Sequence, residues 1–284
     1  MNKVYLNNRM VQKSDAVFPA ASSGLYYGAG CFETFRCYSG KLLHFEEHMD
    51  RLNSGLNYLG VGIKESPDAN EIRDRIHELL RENKLDKSDA KIRIQVSIRN
   101  GGGFSTKQSH SYDVLITTET FKPTSEPVRI CKVSTCVVPK VCRPTGHKLS
   151  NMLHYRNAFR EAESRGYDDG LMLTMNGNVS ETSIANIFWR SGENIYTPAV
   201  SCDILPGIMR NLVLKLLTDE LNYSVEEGEF VMDDVKNADE IWLTNSLREI
   251  RPVASFDDVN FKLNTEFMSQ LLNSLETYKQ NYLV

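Results

Sequence analysis

The sequence predicts an α+β protein of two domains, and three observations carry that expectation. Amphipathic helical runs alternate with short apolar strands through the first 120 residues. A two-proline stretch, Phe121 to Val128, interrupts the pattern, and 284 residues suffice for two cores. The domains are expected at 1–120 and 129–284, with 121–128 as linker.

Each element has a local reason. VYLNNRMV reads as strand, turn and strand around Asn7-Asn8, and CFETFRCYSGKLLHF as two strands joined at Ser39-Gly40. Glu46 to Tyr58 is a helix because Met49, Leu52, Leu56 and Leu59 recur at steps of three and four, and a second helix covers Asn70 to Asn83. Ala90 to Ile98 alternates as Ile92, Ile94, Val96 and Ile98, and Tyr112 to Thr120 is another strand, so the first half reads as helices on a largely antiparallel sheet. Beyond the linker come a strand over Val128 to Val138, a polar loop to Lys148, and a helix from Asn151 to Arg165 stopped by Gly166. Gly170 to Met175 and Thr182 to Trp189 flank the Asn176-Gly177 hairpin turn. Pro206-Gly207 opens a helix to Leu221. Strands at Ser224 to Phe230 and Glu240 to Thr244 follow, and a helix from Asn264 to Tyr278 closes the chain.

Bulk properties exclude several functions. A net charge of −4 with 25% charged residues offers no broad surface for nucleic acid or anionic lipid. The first residues, MNKVYLNNRM, lack an apolar signal-peptide core, and no stretch approaches about 18 continuous apolar residues. Cys31, Cys37, Cys131, Cys136, Cys142 and Cys202 form no CxxC or Cys/His cluster, so no metal is expected. Reduced thiols in a cytoplasmic protein are the simplest account.

Two residues suggest chemistry. Lys148, in Thr145-Gly146-His147-Lys148-Leu149-Ser150-Asn151, supplies an amine that can condense with a carbonyl cofactor. Glu181, 33 residues on in Asn176-Gly177-Asn178-Val179-Ser180-Glu181-Thr182, supplies a carboxylate of the kind that pairs with a pyridinium nitrogen. His147 beside the lysine is read as a solvated loop residue. Arg99, after a strand and before Asn100-Gly101-Gly102-Gly103, is a candidate for a substrate carboxylate.

Six segments, in order and at matching spacing, give the chain a family resemblance. They are Tyr27-Gly28-Ala29-Gly30-Cys31-Phe32-Glu33-Thr34-Phe35-Arg36, His48-Met49-Asp50-Arg51-Leu52, the Lys148 loop, Glu181 through Asn186-Ile187-Phe188-Trp189, Leu205-Pro206-Gly207-Ile208-Met209-Arg210, and Leu243 through Val253. Over about residues 24 to 253 the chain resembles the fold-type IV pyridoxal 5′-phosphate (PLP) enzymes. That group contains branched-chain and D-amino-acid aminotransferases and aminodeoxychorismate lyase. The resemblance implies an N-terminal α/β sandwich-like domain, a C-terminal pseudo-barrel, a small amino substrate and a homodimer.

It also implies roles for individual residues. Lys148 is similar to the Schiff-base lysine and proton shuttle, and Glu181 to the partner of the pyridine nitrogen. Arg51 is similar to the arginine that grips the cofactor phosphate. The amides of Ile208 and Met209 resemble the phosphate cup, with the Ser246 hydroxyl added. Helix starts present N–H groups and a positive dipole end to anions, and a forked guanidinium matches phosphate oxygens. Tyr27 and Arg36 are expected to line the substrate pocket.

Three segments resemble the lyase form more than the aminotransferases: Phe-Glu-Thr-Phe-Arg, Arg99 with its glycine-rich run, and TNSLREIRPV. The implied reaction converts 4-amino-4-deoxychorismate to 4-aminobenzoate and pyruvate in folate biosynthesis. A branched-chain or D-amino-acid aminotransferase is the alternative. A non-catalytic scaffold relative would have lost Lys148 or Glu181, and both are present. Ser22-Ser23 and Ala29 depart from the Asp-Arg pair and the Gly-Asp-Gly turn common in the family.

Overall fold

The computed structural model describes residues 3–99 and 111–283, so Asn100 and the glycine run after it lie outside the described residues. The chain divides into two compact units. Unit 1 comprises Met1–Pro123, His147–Asn151 and Tyr282–Val284; unit 2 comprises Thr124–Gly146 and Met152–Asn281.

Unit 1 contains β1 (Lys3–Leu6), β2 (Arg9–Gln12), α1 (Ser23–Tyr27), β3 (Gly30–Tyr38), β4 (Lys41–Leu42), α2 (Phe45–Tyr58), α3 (Ala69–Glu82), β5 (Ala90–Ile98) and β6 (Tyr112–Thr120). The strands form one antiparallel sheet in the order β2-β1-β6-β5-β3-β4. Strict alternation puts Ile92, Ile94, Val96 and Ile98 of β5 on the face that α2 and α3 cover with Met49, Leu52, Leu56, Ile76, Leu79 and Leu80. Asp68 starts α3 by accepting from Glu71 N at 2.9 Å.

Unit 2 contains β7 (Val128–Lys132), α4 (Leu153–Ser164), β8 (Asp169–Leu173), β9 (Val179–Thr182), β10 (Asn186–Ser191), β11 (Asn194–Pro198), α5 (Ile208–Lys215), β12 (Val225–Gly228), α6 (Met232–Lys236), β13 (Glu240–Asn245), β14 (Glu249–Phe256), β15 (Val259–Asn260) and α7 (Glu266–Tyr282). Its sheet runs β12-β11-β10-β13-β14-β7-β8-β9, with β15 on β14. The last strand, β9, comes back against β10 and β11, so the sheet curls on itself. Pairing is mixed: β14, β7 and β8 run parallel, as do β11 and β12. Gly166 (φ 81) ends α4 as expected, with Tyr167 N and Gly166 N closing on Ala162 and Glu163 carbonyls.

Several expected elements change. The strand expected over Thr182 to Trp189 is two strands, because the Thr182 hydroxyl gives to Ala185 O (3.0 Å) and takes from Ala185 N (3.1 Å). The chain is thereby turned out of the β8 ladder. β10 then pairs with β11 and β13. The strand expected to Val138 stops at Lys132, although Val133 N and Val137 N still reach carbonyls of Leu171 and Leu173. The helix expected to Leu221 is α-helical to Lys215 and widens to a π-helical turn at Leu216–Glu220. The sequence reading missed α1, β11, α6, β14 and β15.

The departures at the N-terminus have structural roles. Ser22 caps α1 by accepting from Leu25 N (3.2 Å), and the Ala29 carbonyl accepts from Ile98 N (2.9 Å).

The segment carrying Lys148 is fastened to β3. Phe32 N–H donates to Lys148 O (3.0 Å), Ser150 N–H to Gly30 O (2.8 Å), and Gln95 Nε2 to Ser150 Oγ (2.7 Å). Gly30 suits this crowded place, since a Cβ there would fall 2.3 Å from Val96 O of β5 and 3.1 Å from Ser150 Oγ of the segment. Gly30→Ala is expected to destabilise unit 1 by about 1–3 kcal/mol in urea denaturation, as overpacking does. Gly62→Ala, whose Cβ meets nothing nearer than 3.6 Å, is expected to stay within about 0.5 kcal/mol of the parent.

Candidate active site

In unit 1 the pinned backbone sets Lys148 over the Phe32 ring, with Nζ 4.8 Å from its centroid, and the Arg93 guanidinium lies 4.0 Å from the same ring. The neighbouring residue on β3, Glu33, turns to the helix side and is fully buried. Arg51 forks onto it, Nε to Oε1 at 2.7 Å and Nη2 to Oε2 at 2.8 Å, and His48 Nδ1 donates to Oε2 at 2.7 Å. Burial pushes the Glu33 carboxyl up, but Arg51 and His48 overcome it and hold the group at about 2. Burial also lowers His48, as do Arg51 and Lys148, against the opposing pull of Glu33. The pair is therefore a neutral imidazole donating to a carboxylate. Arg51, expected at the cofactor phosphate, thus has two of its three guanidinium nitrogens held by an acid on β3.

The other unit 1 candidates stand apart from this group. Tyr27 is the last residue of α1 and is 45% exposed. Arg36 pairs with Asp89 (Nε–Oδ2 3.1 Å) and stacks 4.5 Å over Tyr38. Arg99 is ion-paired through Nε and Nη2 to Asp113, a buried carboxylate that also accepts from Asn7 Nδ2. His147 lies with its ring 5.2 Å from Tyr58, and burial lowers its pKa.

Unit 2 builds a second group around Glu181, at the end of β9 and 4% exposed. Oε1 accepts from Tyr155 Oη (2.5 Å) and Leu205 N (3.1 Å), and Oε2 from Asn186 Nδ2 (3.0 Å). Burial raises the Tyr155 hydroxyl far above its ordinary value, and Glu181 adds to this while Arg143 opposes it, so Tyr155 remains a phenol and a donor. Asn186 also donates to Leu205 O (2.9 Å), and its Oδ1 stands where a side chain on Gly207 would sit, 2.2 Å from an ideal Cβ. Gly207 begins α5, whose first turn, with Ile208 and Met209, has no side-chain cap. Ser246 is half-buried in the β13–β14 turn, and one residue before that turn's Asn245 the Thr244 hydroxyl is buried with no hydrogen-bond partner among the described residues.

The sequence reading therefore missed Tyr155, Arg143 and Asn186 around Glu181, and Glu33 and His48 around Arg51. Tyr155 carried one usable signal, its place seven residues after Lys148. On helix α4, however, it shares the buried stripe of Ala158 and Ala162 and reads as core.

The family model for amino-transferase class IV matches residues 30–256, and the chain belongs to that family. The aminodeoxychorismate lyase of Bacillus subtilis (strain 168) is 31% identical over 262 residues, covering 91% of this chain and 88% of the relative. The branched-chain-amino-acid aminotransferase of Escherichia coli (strain K12) is 27% identical over 272 residues, 90% of this chain and 85% of the relative. The crystal structure of the E. coli branched-chain amino acid aminotransferase matches with a TM-score of 0.90 at 25% identity, over 99% of this chain and 98% of that one. The fold is accordingly fold-type IV, and the chain is an enzyme of a PLP-dependent family.

Each unit by itself holds side chains of the kind that cofactor requires. Unit 1 supplies an amine and a guanidinium. Unit 2 supplies a buried acid, an uncapped helix start, and two hydroxyls at the β13 end, one of them unpartnered among the described residues. No cluster able to hold a metal ion occurs among the described residues.

The Glu33 network makes acid sensitivity testable. A carboxyl whose folded value is depressed from 4.5 to about 2 contributes stability above 4.5, and that contribution is lost as pH falls towards about 2. His48 acts in the same direction, because its protonation favours the unfolded chain. Urea midpoints are expected to fall across that window. Glu33→Gln, which removes the acid that Arg51 forks onto, should cost about 3–5 kcal/mol at neutral pH and flatten the acid dependence.

Proposed function

We propose that the chain is a PLP-dependent lyase that converts 4-amino-4-deoxychorismate to 4-aminobenzoate and pyruvate. The observation that carries this reading is strand β3, Phe32-Glu33-Thr34-Phe35-Arg36. Thr34 stands there where branched-chain aminotransferases commonly have glycine, and its hydroxyl lies 3.5 Å from Arg93 Nη1. The B. subtilis relative, a lyase, supports it.

When bound, the cofactor supplies an electron sink that makes the carbon–hydrogen bond beside the substrate nitrogen acidic. Lys148 would hold the cofactor through its amine, Arg51, the Ile208 and Met209 amides and Ser246 its phosphate, and Glu181 its ring nitrogen. Lys148 Nζ takes the proton from the substrate carbon bearing the amine. The bond from the substrate ring to the enolpyruvyl oxygen then breaks, the ring becomes aromatic, and the leaving group gains a proton to become pyruvate. Tyr155, Asn186 and the Leu205 amide keep the Glu181 carboxylate in one orientation, so it needs no rearrangement as charge develops. Arg99, with Tyr27 and Arg36, would anchor the substrate. Asp113 fixes the Arg99 guanidinium in one rotamer, which limits the ordering that binding must impose.

A branched-chain aminotransferase is the second reading, favoured by the TM-score of 0.90 to the E. coli enzyme. The two differ in their need for an acceptor. Pyruvate and 4-aminobenzoate should form from 4-amino-4-deoxychorismate with no 2-oxo acid added. Turnover of branched-chain amino acids that strictly requires 2-oxoglutarate would install the second reading instead. Arg99→Lys should raise KM roughly tenfold with little change in kcat, because a point charge replaces a fork; an unchanged KM would remove Arg99 from the substrate site.

We further infer that the protein acts in the cytoplasm as a homodimer. All six cysteines are free thiols, and no helix among the described residues is long and apolar enough to cross a membrane. Light scattering should give twice the 32.3 kDa chain mass; a monomer at micromolar concentration would contradict the dimer.

A further inference from the structure

The turn that carries Ser246 is held from outside by a charged pair that no part of the reaction uses. β13 and β14 pair through Asn245 and Glu249, leaving Ser246, Leu247 and Arg248 as a three-residue loop. Asn245 Oδ1 accepts from Leu247 N (3.1 Å) and Arg248 N (2.7 Å), and Asn245 Nδ2 donates to Ile184 O (3.2 Å). The residue that follows this loop, at the start of β14, adopts the left-handed region, a place that favours glycine. Here that residue is Glu249, with φ 59. A side chain in this conformation persists only where its surroundings impose it.

Those surroundings come from α7. Lys279 is 5% exposed, and its ammonium lies 2.7 Å from Glu249 Oε1 and 2.5 Å from Glu276 Oε1. Phe267, Met268, Leu271 and Leu275 bury the same helix in the unit 2 core, so Lys279 is presented from a fixed scaffold. Glu249 is 14% exposed at its side chain, whereas Glu276 is 62% exposed and touches Lys279 from the solvent side. The inner contact bears on the turn; the outer one does not.

We propose that Lys279 and Glu249 are positioning residues for the cofactor phosphate. Their ion pair holds the αL residue that closes the loop, and so fixes the Ser246 hydroxyl and the amides beside it. The inference rests on Ser246 being a phosphate contact, as given under the proposed function. It assigns the C-terminal helix a task that its amphipathic sequence does not announce.

Binding of two probes separates positioning from mere stability: PLP, and pyridoxal, which has the same aldehyde and ring but no phosphate. The wild-type protein, freed of cofactor and retitrated, should bind PLP much more tightly than pyridoxal. Lys279→Met and Glu249→Gln should lower the PLP-to-pyridoxal affinity ratio about tenfold, as for one charge-assisted hydrogen bond displaced. Lys279→Arg should restore most of it, and Glu276→Gln should leave it unchanged. Melting temperatures recorded alongside exclude unfolding as the cause. Loss of both affinities in parallel, or an unchanged ratio in folded Lys279→Met and Glu249→Gln, would overturn the positioning role while leaving the cofactor reading intact. A wild-type protein that binds PLP no better than pyridoxal would overturn both.

Discussion

Two backbone hydrogen bonds, Phe32 N–H to Lys148 O and Ser150 N–H to Gly30 O, are the constraint on which the proposed chemistry depends. They take a short segment from the middle of the chain and stitch it to the start of β3. A lysine side chain has four rotatable carbons, and a free loop would add backbone freedom to them. Fixing the peptide reduces the problem to the side chain, and the Phe32 ring beneath Nζ narrows it further. Position 30 tolerates no side chain, because a Cβ there would run into the Val96 carbonyl of β5 and crowd Ser150 of the segment.

The same strand orders the cationic half of unit 1. Glu33 follows Phe32 and points to the opposite face, so one strand residue supports the lysine and the next fixes Arg51 and His48. A buried carboxylate is costly alone, but here a bidentate guanidinium and an imidazole N–H satisfy it. Unit 2 solves a related problem differently. Glu181 accepts from the neutral donors Tyr155, Asn186 and the Leu205 amide, which orient it. That arrangement suits the role proposed for Glu181, opposite a positively charged ring nitrogen.

Much of this was legible in the sequence where one physical signal acted alone. Strict alternation gave β5 its observed bounds, Ala90–Ile98, β6 was expected over its observed Tyr112–Thr120, and the Asn176-Gly177 and Gly166 positions marked a turn and a helix stop correctly. It failed where side chains compete with the ladder, as at Thr182, whose hydroxyl bonds to Ala185 and breaks an otherwise continuous apolar strand. The ordered motifs pointed to the family and to PLP. The partners of the motif residues were hidden, because Glu33 with Arg51 and Tyr155 with Glu181 are tertiary pairings that spacing does not encode. Arg36 and Arg99 illustrate the same point: each reads as an available cation, and each is found on an aspartate.

The central claim is that the Lys148 amine, and no other among the lysines, condenses with the cofactor aldehyde. Borohydride reduction of the PLP-loaded protein, followed by digestion and peptide mass spectrometry, reads this directly. The expected result is a single pyridoxyl-modified peptide containing Lys148. Modification confined to a different lysine, or none in protein saturated with PLP, would contradict the account.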